Sequence, residues 1–356
     1  MKLKYEEVNN LKVSVKLLKF VNEELLKDTN IKPEKFWLGF DKAVHELAPK
    51  NKELLKIRED LQKRIDDWHI KNKGNKIEIN QYKKFLKEIG YLITEKSDFK
   101  IETSNVDDEI AKIAGPQLVV PIMNARYVLN AANARWVSIY DSLYGTDVIE
   151  SDEEGSERYD PVRGREVIKY VREFFDKHIP INGTSWKDIT GLKIVNKDLV
   201  ITKDHKEYEL KNKNKFIGHR GDSNKPSAVI IKNNNLHFEI IINPKAFSAA
   251  HDIAGISDVI AESAISTICD NEDSVAAVDA DDKVVCYKNW LGLMKGDLKI
   301  QFEKNGKNLE RKLNPDRSYI SRDGKGLKLH GRSLLLIRNV GHLMTNSSII
   351  LKDGSE

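Results

Sequence analysis

The chain has 356 residues, more than one compact core usually holds, so two or more domains are expected. Its 40% hydrophobic and 32% charged residues are typical of a globular protein and exclude a wholly disordered one. The net charge of +4 is weak for a nucleic-acid-binding protein. No apolar run is long enough to span a membrane, and the first residues do not form the apolar core of a secretory signal. We therefore expect a cytoplasmic protein with neither nucleic-acid nor membrane partners.

The first 92 residues or so have the periodicity of helices. Pro33 is placed to open one helix, since proline is favoured in the first helical turn. Asn51 is placed to cap a second helix, whose apolar residues recur at steps of three and four. Gly90 is placed to end a third helix. This block is predicted to be a small helical domain.

The middle of the chain changes character. Residues 118–123 form a continuous apolar run of strand length, which predicts a strand buried on both faces, as in a parallel sheet. A helix is predicted for residues 130–143 and an acidic loop for residues 151–157. Three hairpins are then predicted, at residues 192–202, 229–242 and 298–313. The last contains Asn305-Gly306, a strong hairpin signal because both residue types tolerate positive φ.

Two cysteines, Cys269 and Cys286, are too few for a disulfide framework. Neither belongs to a pair with metal-ligand spacing. Both are expected to be buried, reduced thiols.

A further buried strand is predicted at residues 334–337, and it runs directly into Arg338. In a parallel α/β barrel, functional side chains stand at the carboxyl ends of the strands. A charge at such an end is costly unless it is used or paired. A guanidinium stays charged and presents a fork of donors that matches a carboxylate or an enolate oxygen. Arg338 is thus a candidate for holding a small anion, and a purely structural ion pair is the alternative.

An acidic segment containing Asp270, Glu272 and Asp273 follows the apolar stretch 264–269. It directly precedes residues 274–278, where another buried strand is predicted. Carboxylates this close repel one another, so a positive group is expected beside them. That group could be Mg²⁺, which prefers oxygen ligands, or an arginine such as Arg338. A helix-capping loop that faces water is the alternative.

Several long motifs resemble malate synthase G, and the resemblance extends over essentially the whole chain. They are GPQLVVP (115–121), NARY (124–127), NAANARW (130–136), EDSVAAVDA (272–280), NWLGLMKG (289–296) and RNVGHLMTN (338–346).

The resemblance implies an α/β fold in which part of a TIM (β/α)8 barrel follows an N-terminal helical clasp and carries an inserted α/β domain. The implied boundaries are 1–92 for the clasp, 115–133, 265–296 and 334–356 for the first part of the barrel, and 134–264 and 297–333 for the inserted domain.

The resemblance also implies an activity: Mg²⁺-dependent condensation of acetyl-CoA with glyoxylate and water to (S)-malate and CoA, through an enolate, in the glyoxylate cycle. Arg338 matches the catalytic arginine, which contacts glyoxylate and stabilises the enolate oxyanion. The positions that match the acetyl-CoA site are Val119, Arg126, Tyr127, Ser274 and Arg311. An acidic loop of the active site is matched by Glu272 and Asp273.

The family's chain is longer. Its metal-binding carboxylates and its catalytic aspartate match positions beyond residue 356, so no metal ligand is expected among the residues of this sequence. The complete protein is expected to be a monomer. This polypeptide alone is expected to be unstable or to aggregate, and not to make malate, because an incomplete barrel has open strand edges. Two other functions stay open: a different Mg²⁺-dependent acyl-CoA lyase of TIM-barrel type, and a non-catalytic truncated paralogue that binds CoA.

Overall fold

The computed structural model describes residues 4–150, 159–250, 252–304 and 306–355 of a mixed α/β protein. The acidic loop predicted at residues 151–157 lies outside these ranges. The chain divides into two compact units, which we call the N-terminal unit and the central unit. The N-terminal unit comprises Met1–Asn105, Ala276–Leu291 and Asn339–Glu356. The central unit comprises Val106–Val275 and Gly292–Arg338.

The α-helices of the described residues are, in chain order, α1 (Val15–Phe20), α2 (Pro33–Lys71), α3 (Ile79–Glu88), α4 (Asp108–Ala111), α5 (Ala125–Asn133), α6 (Ile139–Tyr144), α7 (Pro161–His178) and α8 (Ala280–Lys295). A π-helical turn (Val21–Leu25) and two 3-10 turns (Lys213–Lys215 and Phe247–Ala249) accompany them. Within the described ranges, the length and apolar character needed to cross a membrane are not combined in any helix.

The strands are β1 (Tyr5–Val8), β2 (Leu11–Ser14), β3 (Gln117–Pro121), β4 (Trp136–Ser138), β5 (Gly191–Val195), β6 (Asp198–Lys203), β7 (Lys206–Glu209), β8 (Phe216–Gly221), β9 (Pro226–Asn233), β10 (Leu236–Ile242), β11 (Ile256–Glu262), β12 (Ser266–Asp270), β13 (Lys299–Lys304), β14 (Lys307–Lys312), β15 (Arg317–Ser321), β16 (Gly326–Leu329), β17 (Leu334–Arg338) and β18 (Ile349–Leu351).

The N-terminal unit begins with strands rather than with the predicted helix. β1 and β2 form an antiparallel hairpin, and β18 pairs with the other edge of β2. Asn9 takes the positive φ of 54° that the tight turn requires, which asparagine tolerates. Leu11 and Val13 are fully buried while Lys12 between them is partly exposed, so the side chains alternate with the period of a strand. The prediction of helix throughout this block was therefore wrong at its start.

Helix α2 is continuous over 39 residues, where two helices were predicted. Its start at Pro33 is confirmed. The helix continues through Pro49 because the ring removes only one backbone donor and the flanking turns still bond. Asn51 does not cap a helix: its side-chain amide donates to the backbone oxygen of His342 at 2.8 Å. Gly90, with φ of 79°, follows the end of α3 as predicted.

The central unit contains a seven-stranded sheet in the order β16-β15-β8-β9-β10-β11-β4. The three predicted hairpins are confirmed as β5–β6, β9–β10 and β13–β14. Asn305 of the last turn lies outside the described residues. The helix predicted for residues 130–143 is interrupted, because Trp136–Ser138 pairs with β11. A core centred on Phe175, Trp186 and Ile231 joins helix α7 to the strands.

A separate sheet of three parallel strands, β17-β12-β3, positions the candidate site. β3 and β17 confirm two predicted strands, but Val119 on β3 is 55% exposed, so the prediction of burial on both faces was wrong. The strand predicted at residues 274–278 was also wrong. The apolar stretch before it forms β12, and Val278 is 73% exposed. These strands do not by themselves establish an eight-stranded barrel.

Both cysteines are buried and free, as predicted. Cys269 lies on β12, where burial raises the pKa of its thiol to about 11. A thiol with so high a pKa is a poor nucleophile at neutral pH, so Cys269 acts as a small core residue.

We predict that Gly331→Ala destabilises the protein. A Cβ at Gly331 would lie 1.9 Å from the backbone oxygen of Pro315, just before β17 begins. The melting temperature should fall by roughly 2–8 °C, as expected for an overpacked site. Gly326→Ala is the matched control, because nothing lies within 4 Å of a Cβ there. Equal melting temperatures for the two variants, measured by circular dichroism, would contradict the packing described.

Candidate active site

The candidate site lies at the carboxyl ends of two neighbouring parallel strands. Asp270 is the last residue of β12 and Arg338 is the last residue of β17. The register of the two strands places these residues directly opposite each other. Side chains at matched positions of adjacent strands stand on the same face of a sheet, so the carboxylate and the guanidinium meet.

The Asp270 carboxylate binds Arg338 through two parallel hydrogen bonds. Arg338 donates from Nε and Nη2 to the two carboxylate oxygens, both at 2.8 Å. The Asp270 side chain is 0% exposed, and it also accepts the backbone N–H groups of Glu272 at 3.0 Å and Ser274 at 2.8 Å. The pair with Arg338, followed by the donors of Ser274 and Glu272, holds the pKa of Asp270 well below its usual range despite burial.

Two further carboxylates surround Arg338. Nη1 lies 3.3 Å from an oxygen of Asp273, and Nε lies 3.8 Å from an oxygen of Glu272. The hydrogen bonds to Asp270 first, and then the charges of Asp270, Asp273 and Glu272, raise the pKa of Arg338 above its already high ordinary value. The positive group expected beside the acidic segment is thus Arg338. Its side chain is 38% exposed, so part of the guanidinium is open to a ligand.

The residues described here do not provide the ligand set of a magnesium ion. Among the described residues, no group of three or more His, Cys, Asp or Glu side chains is disposed to hold a metal. The oxygens of Asp270 are engaged by Arg338, by backbone donors and by the Ser274 hydroxyl. The three carboxylates nevertheless exceed the single positive charge of Arg338, which disfavours an incoming anion unless a further positive group joins the site.

A second group of predicted residues assembles around Phe302. The guanidinium carbon of Arg126, on α5, lies 5.1 Å from the centre of this ring, and that of Arg311, on β14, lies 5.3 Å from it. Arg311 also donates a hydrogen bond to the side-chain oxygen of Asn130. Two guanidinium groups held on one aromatic ring make a fixed positive surface, and arginine pairs well with phosphate.

The other two predicted residues present exposed surface. Val119 on β3 is 55% exposed and Tyr127 in the first turn of α5 is 53% exposed. The Asn124 side chain caps this helix by accepting the N–H of Tyr127 at 3.1 Å. The cap fixes where α5 begins, and with it the positions of Arg126 and Tyr127.

The structure thus places Glu272 and Asp273 beside Arg338, and Ser274 on the Asp270 carboxylate. It brings Arg126 and Arg311 together at Phe302. The sequence analysis did not identify Asp270 as the two-point partner of Arg338, nor Phe302 as a residue of the site. Asp270 had a usable signal, because it directly follows an apolar stretch of strand length. Phe302 had only a weak one, as an aromatic residue in a predicted hairpin.

Comparison with known proteins gives matches over most of the chain. Residues 16–76 match the N-terminal domain of malate synthase, and residues 159–233 match the alpha-beta insertion domain of malate synthase G. The curated malate synthase G of Halalkalibacterium halodurans is 48% identical over 99% of this chain and 49% of its own length. That of Corynebacterium glutamicum is 48% identical over 98% of this chain and 47% of its own length. The malate synthase G of Corynebacterium efficiens is 46% identical over 98% of this chain and 47% of its own length.

Both matched families describe domains of malate synthases. The resemblance to malate synthase G is therefore confirmed along nearly the whole chain, and the residues that match the insertion domain lie in the central unit. The chain spans about half the length of the curated relatives it matches.

We predict that Asp270→Asn lowers the stability of the protein in a pH-dependent way. Because the pKa of Asp270 is depressed in the folded state, its ionised form stabilises the fold above the unfolded pKa of about 3.9. This stabilisation is lost as the pH falls below that value. At pH 7 the variant should be about 1–3 kcal/mol less stable. The difference in the free energy of unfolding between the variant and the wild type should become smaller below pH 4.

Asp273→Asn is the control, since this carboxylate is 75% exposed and contacts the same arginine. Asp273→Asn should lower the free energy of unfolding at pH 7 by less than about 1 kcal/mol. Denaturant titrations measure the free energy of unfolding of both proteins. If the difference between wild type and Asp270→Asn stays constant from pH 7 to pH 3, the pKa of Asp270 is not depressed in the folded protein.

Proposed function

We propose that this chain supplies the substrate-binding part of a malate synthase, which condenses acetyl-CoA with glyoxylate and water to (S)-malate and CoA in the glyoxylate cycle. The observation that supports this most is Arg338 at the carboxyl end of β17, locked by Asp270 and still partly exposed. The likeness to malate synthase G proteins gives the reaction class.

Arg338 would contact the glyoxylate carboxylate and stabilise the enolate oxygen formed when the methyl group of acetyl-CoA loses a proton. The resemblance assigns the uptake of that proton to the family's catalytic aspartate, which matches no residue of this sequence. The enolate carbon then attacks the aldehyde carbon of glyoxylate, and hydrolysis of the resulting thioester releases CoA. Asp270 acts as a positioning residue, because it holds the guanidinium in place before charge develops on the substrate. Fixed donors of this kind stabilise a transition state without reorganising during the reaction. Ser274 supports the same arrangement by donating to Asp270.

Acetyl-CoA would bind along Val119, Arg126, Tyr127 and Arg311. Arg126 and Arg311 would pair with the phosphates of CoA, with Phe302 holding both guanidinium groups. The exposed side chains of Val119 and Tyr127 would contact the apolar parts of the ligand. Glu272 and Asp273 form the acidic loop at the floor of the site.

We also propose that β3, β12 and β17 belong to a TIM (β/α)8 barrel, with a clasp at residues 1–92 and an inserted domain at residues 134–264 and 297–333. The two inserted segments contribute strands to one sheet, which supports this division. Mg²⁺ would serve as a Lewis acid for the glyoxylate aldehyde in the complete protein. We propose it on the resemblance alone, with ligands outside this sequence. A monomeric, cytoplasmic protein is proposed on the same basis.

The alternative of an acyl-CoA lyase is disfavoured by one observation. Residues 159–233 match an insertion domain of malate synthase G, and the lyases of this chemistry have no inserted module of that kind. Release of free CoA separates the two activities, because a lyase does not hydrolyse the thioester. A non-catalytic protein that binds CoA is the remaining alternative. Glyoxylate-dependent release of free CoA would exclude it.

The direct test uses a fusion protein, in which this chain is joined to the part of the H. halodurans relative that it does not match. The fusion protein should release CoA from acetyl-CoA only when glyoxylate is present, whereas this chain alone should not, because β3 and β17 leave open edges in its parallel sheet. In the fusion protein, Arg338→Lys should lower turnover by roughly 10²-fold or more, since lysine cannot reproduce the two-point geometry.

Arg332→Lys is the matched control, because this arginine lies just before β17 and is 3.9 Å from its nearest carboxylate. It should leave turnover within about 3-fold, as expected for an exposed ion pair. Near-normal turnover of Arg338→Lys in a folded fusion protein would remove Arg338 from the mechanism. Release of CoA in the absence of glyoxylate would contradict the proposed malate synthase reaction.

A second prediction concerns Phe302 in the same fusion protein. Phe302→Ala should raise the KM for acetyl-CoA by roughly 10-fold, with a smaller effect on kcat, because both arginines lose the ring that positions them. Phe302→Tyr keeps the ring and should restore a KM close to that of the wild type. If the two variants have the same KM, the ring does not position the arginines.

A further inference from the structure

The central unit contains a pocket of about 380 Å³ to which no residue of the candidate active site contributes. Helix α7 contributes Arg165, Lys169 and Arg172 to its lining, and later segments contribute Trp186 and Asp252. We call it the α7 pocket. Its volume lies at the lower end of the range of roughly 300–1,000 Å³ found for small-molecule sites.

Arg172 is the unusual residue of this pocket. Its side chain is only 4% exposed and forms an ion pair with the equally buried Asp252 through Nη2. Its other terminal nitrogen, Nη1, is buried and has no hydrogen-bond partner among the described residues. Buried charged donors are rarely left unpaired, because their desolvation is not compensated. An oxygen acceptor in the pocket would satisfy this nitrogen.

The surroundings of Arg172 also favour an acceptor that carries negative charge. Four basic side chains line the pocket, from Arg165, Lys169, Arg172 and Lys187, against the two acids Glu166 and Asp252. Glu173 pairs with Lys187 at 2.7 Å, so these seven groups together keep one excess positive charge. Lys169 pairs with Glu166 at 3.0 Å, but both side chains are more than half exposed, and such pairs are weak and easily exchanged. Arg165 has no ion-pair partner in the part of the chain that the structure describes.

The pocket has an apolar side as well. Ile168 and Ile253, which is 81% exposed, line it together with the buried Ile189 and Trp186. The indole of Trp186 is fixed, because its Nε1 donates to the backbone oxygen of Ile179 at 2.7 Å. Apolar walls beside a few convergent polar groups are the usual composition of a site for a small organic ligand.

We propose that the α7 pocket binds a small organic anion, with a carboxylate or phosphate group on Nη1 of Arg172 and its carbon skeleton against Ile168 and Ile253. Lys169 and Arg165 add charge at the mouth. The proposal does not depend on the reaction proposed for the active site, because no residue is shared between them.

The test is calorimetric titration of the fusion protein at constant ionic strength with inorganic phosphate, phenyl phosphate and succinate. At least one organic probe should bind saturably, with a Kd on the order of 1 mM or tighter. Phenyl phosphate should bind more tightly than inorganic phosphate if the apolar wall contributes. Comparison of phenyl phosphate with succinate shows which anionic group is preferred.

Arg172→Lys keeps a charge opposite Asp252 but removes Nη1, and it should weaken binding at least 10-fold. Arg165→Ala should weaken it about 3-fold, and it tests the pocket even if the Arg172 variant does not fold. Lys177→Ala, an equal charge change in the last turn of α7, should leave binding unchanged. The proposal is overturned if no probe binds saturably, or if Arg165→Ala and any folded Arg172→Lys bind as the wild type does.

Discussion

The two-point ion pair between Asp270 and Arg338 is the interaction on which the candidate active site depends. It exists because two neighbouring parallel strands end at the same register, one in a carboxylate and the other in a guanidinium. The charge of Asp270 would not be tolerated alone at that edge of the sheet, because its side chain is fully buried and an unpaired buried carboxylate is strongly disfavoured. Paired, they fix the guanidinium while leaving part of it exposed. In the proposed mechanism, a structural ion pair and an anion-binding group are therefore not competing explanations, because the first would prepare the second.

A similar arrangement recurs at two other positive sites of the central unit. Arg126 and Arg311 are held by the ring of Phe302, and Arg172 is held by Asp252. In each case a neighbour restrains an arginine before any ligand arrives, so that less conformational entropy is lost when an anion binds. The protein thus combines a weak net charge with a few guanidinium groups of fixed position. This suits recognition of small anionic ligands better than nonspecific attraction to a polyanion.

The sequence predicted the features that local patterns determine. The hairpins followed from turn residues between apolar runs, and the strand before Arg338 followed from four apolar residues in succession. The failures involve non-local effects. The sequence predicted a strand at residues 274–278, whereas the strand of the structure is β12 at Ser266–Asp270. Both stretches are apolar, and only pairing with β3 and β17 distinguishes β12 from the later stretch. The β1–β2 hairpin depends on β18, more than 300 residues away along the chain. Asp270 and Phe302 acquire their roles from register and tertiary packing, which no local pattern contains.

A crystal structure of the fusion protein with glyoxylate bound would test the role of Arg338 most directly. We expect the glyoxylate carboxylate or aldehyde oxygen within hydrogen-bond distance of the Arg338 guanidinium, with the ion pair to Asp270 intact. Glyoxylate bound at a place that Arg338 does not reach, or Arg338 turned into solvent away from Asp270 and Glu272, would contradict it.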